Sequence, residues 1–469
     1  MKTAVFLFHR DLRLYDNTSL VSAIKDGYKV LPVYIFPPEQ IDEEKNPYFS
    51  NPAVQFMCES LDDLDDQLDG GLHLFKGGNL STLVNIHKEH PFTAVYSNQD
   101  YSKYAVERDT EIAEWCKSMN IAFVQKEDYG LLPLKEGLLS NPERPYLVMA
   151  PFYNKVINTL HIRPIEPYTY NRKHFDRFKT VPKVDLHTLY EELPLLAIHG
   201  GRPNGLLMLS KLKRLKDYHE KRDYPALNKT SRASPHLKFG TVSIREMYWK
   251  VFHLFGKLHG LIRELTFRDF YLKIYALNPD LQRGVALRSE LDKNIEWSYD
   301  QKAFDKWASG RTGFPLVDAG MQELNQTGHQ HNRIRMLCGS VLAKYLLIDW
   351  RWGLKYYYTH LVDADIFSNT AGWGFVSSTG ADGVPYFRAP FNPFIQSSKF
   401  DKDAVYIKRW LPELRSVPAK DIHNWYNPEI RAKYANLKLN LKLNYPAPMV
   451  NYKEASAHAV KVFKKAYRN

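Results

Sequence analysis

The sequence predicts an α/β N-terminal domain, a parallel sheet with crossover helices, joined by a long linker to an all-α C-terminal domain. Two observations carry that expectation. Short apolar runs alternate with helix-like patterns over residues 1–130, as they do where strands are linked by crossover helices. From residue 206 onward strand signals thin out, and apolar residues recur with helical spacing.

Taken in order, Thr3–Phe8, Val30–Phe36, Ala94–Tyr96 and Ile121–Val124 read as buried strands. Helical patterns fall between them near 18–26, 51–69, 79–89 and 102–118. The first strand runs into His9-Arg10-Asp11-Leu12-Arg13 rather than G-x-G-x-x-G, so a dinucleotide fingerprint is absent there. Residues 131–205 read as the interdomain linker. Prolines at 133, 142, 145, 151, 164, 167, 182 and 194 break its periodicity, and Gly200-Gly201 with Pro203 ends it. The helical domain, 206–469, carries patterns at 206–220, 243–255, 260–277, 300–309, 315–327, 332–347 and 353–361, with Asp300 as an N-cap and Gly310 and Gly328 as C-caps. Within it, 363–400 is rich in Gly, Ser and Asn and lacks periodicity, so it reads as a long functional loop.

A chain of 469 residues is long enough for two or three domains and a large core. Its 64 basic and 52 acidic residues leave a net charge of +12, compatible with a nucleic acid or another anionic partner. Three cysteines, Cys58, Cys116 and Cys338, form neither a CxxC pair nor a metal-ligand spacing. Reduced thiols, an intracellular protein and no metal are therefore expected. No apolar stretch reaches the roughly 18 residues of a membrane span, and no signal segment opens the chain. A soluble monomer with no membrane and no obligate protein partner is the resulting expectation.

Several residue groups invite a chemical reading. Tyr218 precedes the run Thr230-Ser231-Arg232-Ala233-Ser234, which sets three hydroxyls and a guanidinium ahead of a helical pattern. That is either a pyrophosphate cradle or an ordinary helix cap. Glu264, Phe267, Arg268 and Tyr271 share one helical face, either a binding face or a core stripe with a Glu264–Arg268 pair. Asn332, Arg335 and Met336 share another face with Arg333 offset, and Asp363 and Asp365 follow, the former able to offset Arg335. Trp297, Trp350 and Trp373 lie in the same half of the chain. Packing is the ordinary role for such residues, and electron transfer the alternative that mutual distance decides.

As an ordered set these motifs resemble those of the DNA photolyase/cryptochrome family, most closely its class I cyclobutane pyrimidine dimer photolyases. The resemblance begins at His9-Arg10-Asp11-Leu12-Arg13-Leu14 and Asp16-Asn17 and continues through Thr230–Pro235 and Glu264–Tyr271. It runs on through Gly310–Asp318, Asn332–Met336, Asp349-Trp350-Arg351, Gly372-Trp373 and Ser378-Thr379-Gly380 to Trp410–Leu414, and so spans essentially the whole chain.

The resemblance implies a helical domain that holds FAD, active as reduced FADH⁻. By matching position, Tyr218, Thr230, Ser231, Arg232 and Ser234 would contact the FAD phosphates. Arg335 and Asp363 would pair beside the isoalloxazine with Asp365 close by, and Asn369 would face flavin N5 and favour its reduced states. Trp373, Trp350 and Trp297 would carry electrons, leaving Trp307 as a core residue. The implied activity is light-driven electron transfer to a flipped-out cyclobutane pyrimidine dimer in UV-damaged DNA. Glu264 would hydrogen-bond the lesion and Met336 pack against it, within a binding face that includes Phe267, Arg268, Asn332, Phe375 and Gln396. Arg222, Arg333, Arg388 and Lys399 would hold phosphates.

The family's dimer-splitting enzymes usually carry Trp where Phe267 and Phe375 stand, and Arg388–Pro393 is one residue longer than the usual R-x-F-N-P. Asn332 and Met336 stand where 6-4 photolyases carry the acid/base histidines their rearrangement needs, which ranks 6-4 repair lower. A cryptochrome-type blue-light photoreceptor is the other alternative, disfavoured because the chain ends soon after the Trp410–Leu414 motif without a low-complexity tail. A second, antenna chromophore of folate, deazaflavin or flavin type stays open, with Asn98, Asp100 and Tyr104 in a suitable region.

Overall fold

The computed structural model describes residues 2–140, 143–178, 184–382, 385, 390–435 and 444–468. Strands β1 (Thr3–Leu7), β2 (Lys29–Phe36), β3 (His73–Lys76), β4 (Ala94–Asn98) and β5 (Ala122–Lys126) form one parallel sheet in the order β3-β2-β1-β4-β5. Helices α1 (Thr18–Lys25), α2 (Asn51–Gln67), α3 (Asn79–Glu89) and α4 (Lys103–Ser118) connect them. Both faces of the sheet are covered, so β1 and β4 are apolar runs without alternation. Asn17, Ser50 and Ser102 cap α1, α2 and α4 through their side chains. Strand β3 is the one that periodicity does not reveal. It is a four-residue edge strand, His-Leu-Phe-Lys, that ends in exposed Lys76.

Strand order reverses at β1, so a crevice opens beyond the carboxyl ends of β1 and β4. His9–Asp11 and Asn98–Asp100 lie there. The same edge meets the helical half of the molecule. Leu12 N donates to Phe239 O at 2.9 Å. Gly240, at φ +70°, lies so close to Arg10 that a Cβ would collide with the Arg10 backbone. Beneath this seam Arg13 and Arg245, both almost fully buried, share Asp128, and Arg245 Nε donates to Asp16 at 2.9 Å. A buried ion cluster of this kind needs every partner, since removing one leaves an uncompensated charge. Asn17 and Asn98 belong to the same layer: Asn98 Nδ2 donates to Asp11 at 2.6 Å and to Asn17 at 2.7 Å.

The proline-rich segment after β5 still contains α5 (Met149–Thr159), and Phe175 bridges to Val30 beside the sheet. The helical half follows with α6 (Arg202–Lys211), α7 (Ser234–Phe239), α8 (Ile244–Phe255), α9 (Gly260–Ala276), α10 (Ser289–Lys293), α11 (Gln301–Ala308), α12 (Pro315–Thr327), α13 (Asn332–Ser340), α14 (Trp350–His360), α15 (Ile366–Ser377), α16 (Pro393–Phe400) and α17 (Tyr452–Arg468). Asp300 caps α11 through its carboxylate, and Gly328 ends α12 in the left-handed region. After α13 the chain widens into a π-turn over Val341–Tyr345.

The expectation of a continuous loop over 363–400 is corrected: α15 and α16 occupy much of it. Helix α15, Ile-Phe-Ser-Asn-Thr-Ala-Gly-Trp-Gly-Phe-Val-Ser, packs against α9, α13 and α14. A helix enclosed on several sides has no polar stripe, so it carries no amphipathic period to read.

Candidate functional site

Helices α13, α14 and α15 and the turn before α7 converge on one recess. His331 opens α13 as its N-cap, its Nδ1 accepting from Arg333 N at 3.1 Å. One turn on, Arg335 Nη2 reaches both oxygens of Asp363 at 3.0 and 3.1 Å. Asp363 also accepts from the Ser234 hydroxyl, 129 positions away in sequence. Burial alone would push the Asp363 carboxyl up, but Arg335 and Ser234 hold it below the usual carboxylate range. Arg335, Asp363 and Ser234 are thus joined.

The turn that supplies Ser234 is bent by Arg232, at φ +54°, and Thr230, Ser231 and Arg232 are all half-buried. Tyr218 lies buried against the start of α9 at Gly260. Among the described residues, Arg232 Nε, His331 Nε2 and Arg333 Nε are buried without a hydrogen-bond partner. Buried donors are normally satisfied, so the unpaired Arg232 Nε, in a turn with three hydroxyls, fits a polar, anionic group such as a cofactor diphosphate. Asn369, in the first turn of α15, donates from Nδ2 to Leu354 O at 3.1 Å, and its Oδ1 has no partner among the described residues. That amide therefore presents an acceptor, suited to a ring N–H.

The rim carries charge and apolar walls together. Arg222 donates to Glu264, and its guanidinium lies 5.7 Å from the Tyr218 ring centroid. Arg333 pairs with Asp223 at 2.8 Å and lies 4.7 Å over Phe400 of α16. Lys399 is exposed beside the same ring at 5.1 Å. Phe267, Met336 and Phe375 are half-buried, and exposed Asn332 reaches Met336 Sδ at 3.9 Å. Gln396 is half-buried on α16, and its amide makes no hydrogen bond among the described residues. Arg388 lies outside the described residues.

Two of the expected site residues turn their side chains to the seam. Arg268, expected on the DNA face, instead donates to Tyr129 O at 2.8 Å and Leu237 O at 3.3 Å, with its guanidinium 3.9 Å over the Tyr129 ring. It clamps the seam between the two halves, and Glu264 has Arg222 as its partner. Asp365, expected close to the cofactor ring, caps α15 through Ser368 N at 2.9 Å. It also accepts from Arg10 and, at 2.6 Å, from the Tyr129 hydroxyl. Burial opposes its ionised form, but Arg10 and Arg268 hold it well below the usual carboxylate range. Arg10 and Tyr129 carry no motif that pairs them with a residue more than 200 positions away.

The tryptophans lie close together. Trp373, buried in α15, rests on Gly353 of α14, where a Cβ would collide with its indole; Trp350 is one turn away on α14. Trp373 and Trp350 are 3% and 1% exposed and Trp297 is half-buried, so only the last of the three approaches the surface. Trp307 is fully buried and donates to Cys338 O at 3.0 Å, which suits a core residue, yet its ring lies 6.2 Å from Trp373.

Residues 4–169 match the family profile described as DNA photolyase, and residues 261–465 match the FAD binding domain of DNA photolyase. A deoxyribodipyrimidine photo-lyase of Alkalihalophilus pseudofirmus is 34% identical over 97% of each chain. The chain belongs to the DNA photolyase family. The archaeal photolyase of Sulfolobus tokodaii, whose crystal structure contains two FAD molecules, matches over 100% of both chains with a TM-score of 0.84 and 37% identity. A bacterial class III photolyase from Agrobacterium tumefaciens gives a TM-score of 0.88 at 29% identity, over 100% of this chain and 98% of that one. FAD is thus the cofactor of this chain. In this photolyase the matched FAD-binding region contains Glu264, Arg335, Asp363 and Asn369, while Tyr218 and Thr230–Ser234 precede it. No helix among the described residues is long and apolar enough to cross a membrane.

Proposed function

We propose that this protein repairs cyclobutane pyrimidine dimers in DNA, driven by light and reduced FAD. When bound, reduced FAD supplies the light-absorbing centre and the electron that the dimer borrows and returns. Tyr218, Thr230, Ser231, Arg232 and Ser234 hold its diphosphate, Arg335 and Asp363 fix the polar edge of its ring, and the free oxygen of Asn369 accepts from a protonated N5. Glu264 hydrogen-bonds a base extruded between Phe267, Met336 and Phe375. Arg222, Arg333 and Lys399 meet the flanking phosphates.

The observation that carries this reading is the absence, among the described residues, of an available acid/base histidine beside Asn332 and Met336. Asn332 and Met336 cannot transfer a proton, and His331 beside them is buried, with its pKa lowered to about 4 by burial. Its Nδ1 is already occupied as a helix cap. Electron-driven splitting needs no such group, whereas 6-4 rearrangement does.

The test uses an oligonucleotide bearing one thymine cyclobutane dimer, pre-reduced protein, and light and dark arms. Repair is expected only in the light. Glu264→Ala should keep FAD and lower the repair rate by about tenfold or more, the worth of one charge-assisted hydrogen bond. A parent-like rate in that variant would remove Glu264 from the pocket, and no repair in the parent would overturn the reading.

A further inference from the structure

The indole N–H groups of Trp297 and Trp350 donate to one and the same atom, Oδ1 of Asp292, at 3.2 and 3.0 Å. Asp292 lies on α10 and is 7% exposed. Its other oxygen accepts from Arg351, whose guanidinium stands 4.8 Å over the Trp350 ring. Arg351 also pairs with buried Asp349 at 3.0 Å. Two carboxylates therefore share one guanidinium, which leaves one net negative charge against two indoles. The ammonium of Lys344 is separated from Trp297 by the Phe463 ring, which lies 5.0 Å from Lys344 Nζ and 6.1 Å from the Trp297 ring.

We propose that Asp292 is a positioning residue for electron transfer along the tryptophan chain. Its single oxygen fixes the orientation of both indoles, and its charge stabilises positive charge on the Trp297–Trp350 pair. The proposal rests on the electron-carrying reading of Trp373, Trp350 and Trp297. With oxidised FAD bound as the light-driven electron acceptor, Trp373 would be its donor, Trp350 would refill Trp373 and Trp297 would refill Trp350. Each transfer moves one electron, breaks no bond and leaves its donor a radical cation. An external thiol finally returns an electron to Trp297. A neutral indole already has a charge-assisted hydrogen bond to the carboxylate, whereas an oxidised indole adds the attraction of opposite full charges. Asp292 therefore favours the charge-separated state selectively, and in a buried site that preference is weakly screened.

Flash photolysis of the FAD-loaded, oxidised protein at fixed thiol concentration tests this, with the tryptophan radical followed directly. Asp292→Asn keeps an acceptor oxygen of the same shape and removes only the charge. The radical's lifetime is expected to shorten by about tenfold, the difference between a charged and a neutral hydrogen bond. FAD content and the near-ultraviolet circular dichroism should stay those of the parent. Asp349→Asn, which keeps an equally good cap on α14, removes the same charge farther from the indoles and should shorten the lifetime less. It decides the matter if Asp292→Asn loses FAD. Parent-like lifetimes in both variants overturn the role of Asp292. Separately, a Trp350→Phe variant that photoreduces as fast as the parent overturns the tryptophan chain itself, whereas a slow Trp350→Phe beside parent-like Asn variants overturns only the Asp292 proposal.

Discussion

At the scale of single residues the recess rests on pairs that form only between distant segments. The sequence points to Arg335 and Asp363 through their motif, and the structure joins them directly. It does not point to Ser234 as the third member, because a hydroxyl before a helix reads equally well as a cap. His331 was legible only as a residue ahead of a helical pattern, yet it is both N-cap and buried neutral ring. Burial lowers its folded pKa to about 4 from an ordinary 6.5. Between those values the unfolded chain binds a proton that the folded chain refuses. This contribution to stability is therefore full above pH 6.5 and declines as pH falls toward 4, by at most about 1.4 kcal/mol per pH unit. Urea titrations of the parent and His331→Asn should show the parent losing stability relative to the variant across that window. Parallel pH profiles would refute a buried neutral ring.

At the scale of elements, legibility followed amphipathicity. Helices α8, α11 and α12 have caps or faces that the sequence displays, and they lie where expected. Helix α15 does not display them: its glycines weaken every propensity signal, while Gly353 of α14 lets its Trp373 pack closely. That contact makes a sharp prediction. Gly353→Ala places a methyl against the Trp373 indole, and neither the helix backbone nor the buried ring has room to yield. A loss of about 1–3 kcal/mol in unfolding free energy is expected from this overpacking. The near-ultraviolet circular dichroism of Trp373 should change with it. Unchanged stability and spectrum would show that the indole does not rest on α14.

At the scale of the whole molecule, the two-part architecture was legible because strand alternation and helical periodicity occupy separate stretches of chain. The seam between the parts was not, since Arg10, Tyr129, Arg268 and Asp365 meet only after both halves have folded. The net charge of +12 gives association with DNA a strong salt dependence. Lys399 projects from α16 at the rim, so Lys399→Gln should weaken binding to all sequences alike. It should also reduce the slope of log affinity against log salt by about one unit. An unaltered slope would take Lys399 off the DNA path. The seam bears on how such proteins can be recombined. The helix that presents Asn369 and Trp373 is anchored at its first turn by a guanidinium from the end of β1. A chimera that took its sheet half from a relative without that arginine would leave Asp365, at the root of this helix, with Arg268 in place of two cations. Domain grafting would then detune the flavin site from outside it, so the two halves are exchangeable only as a matched set.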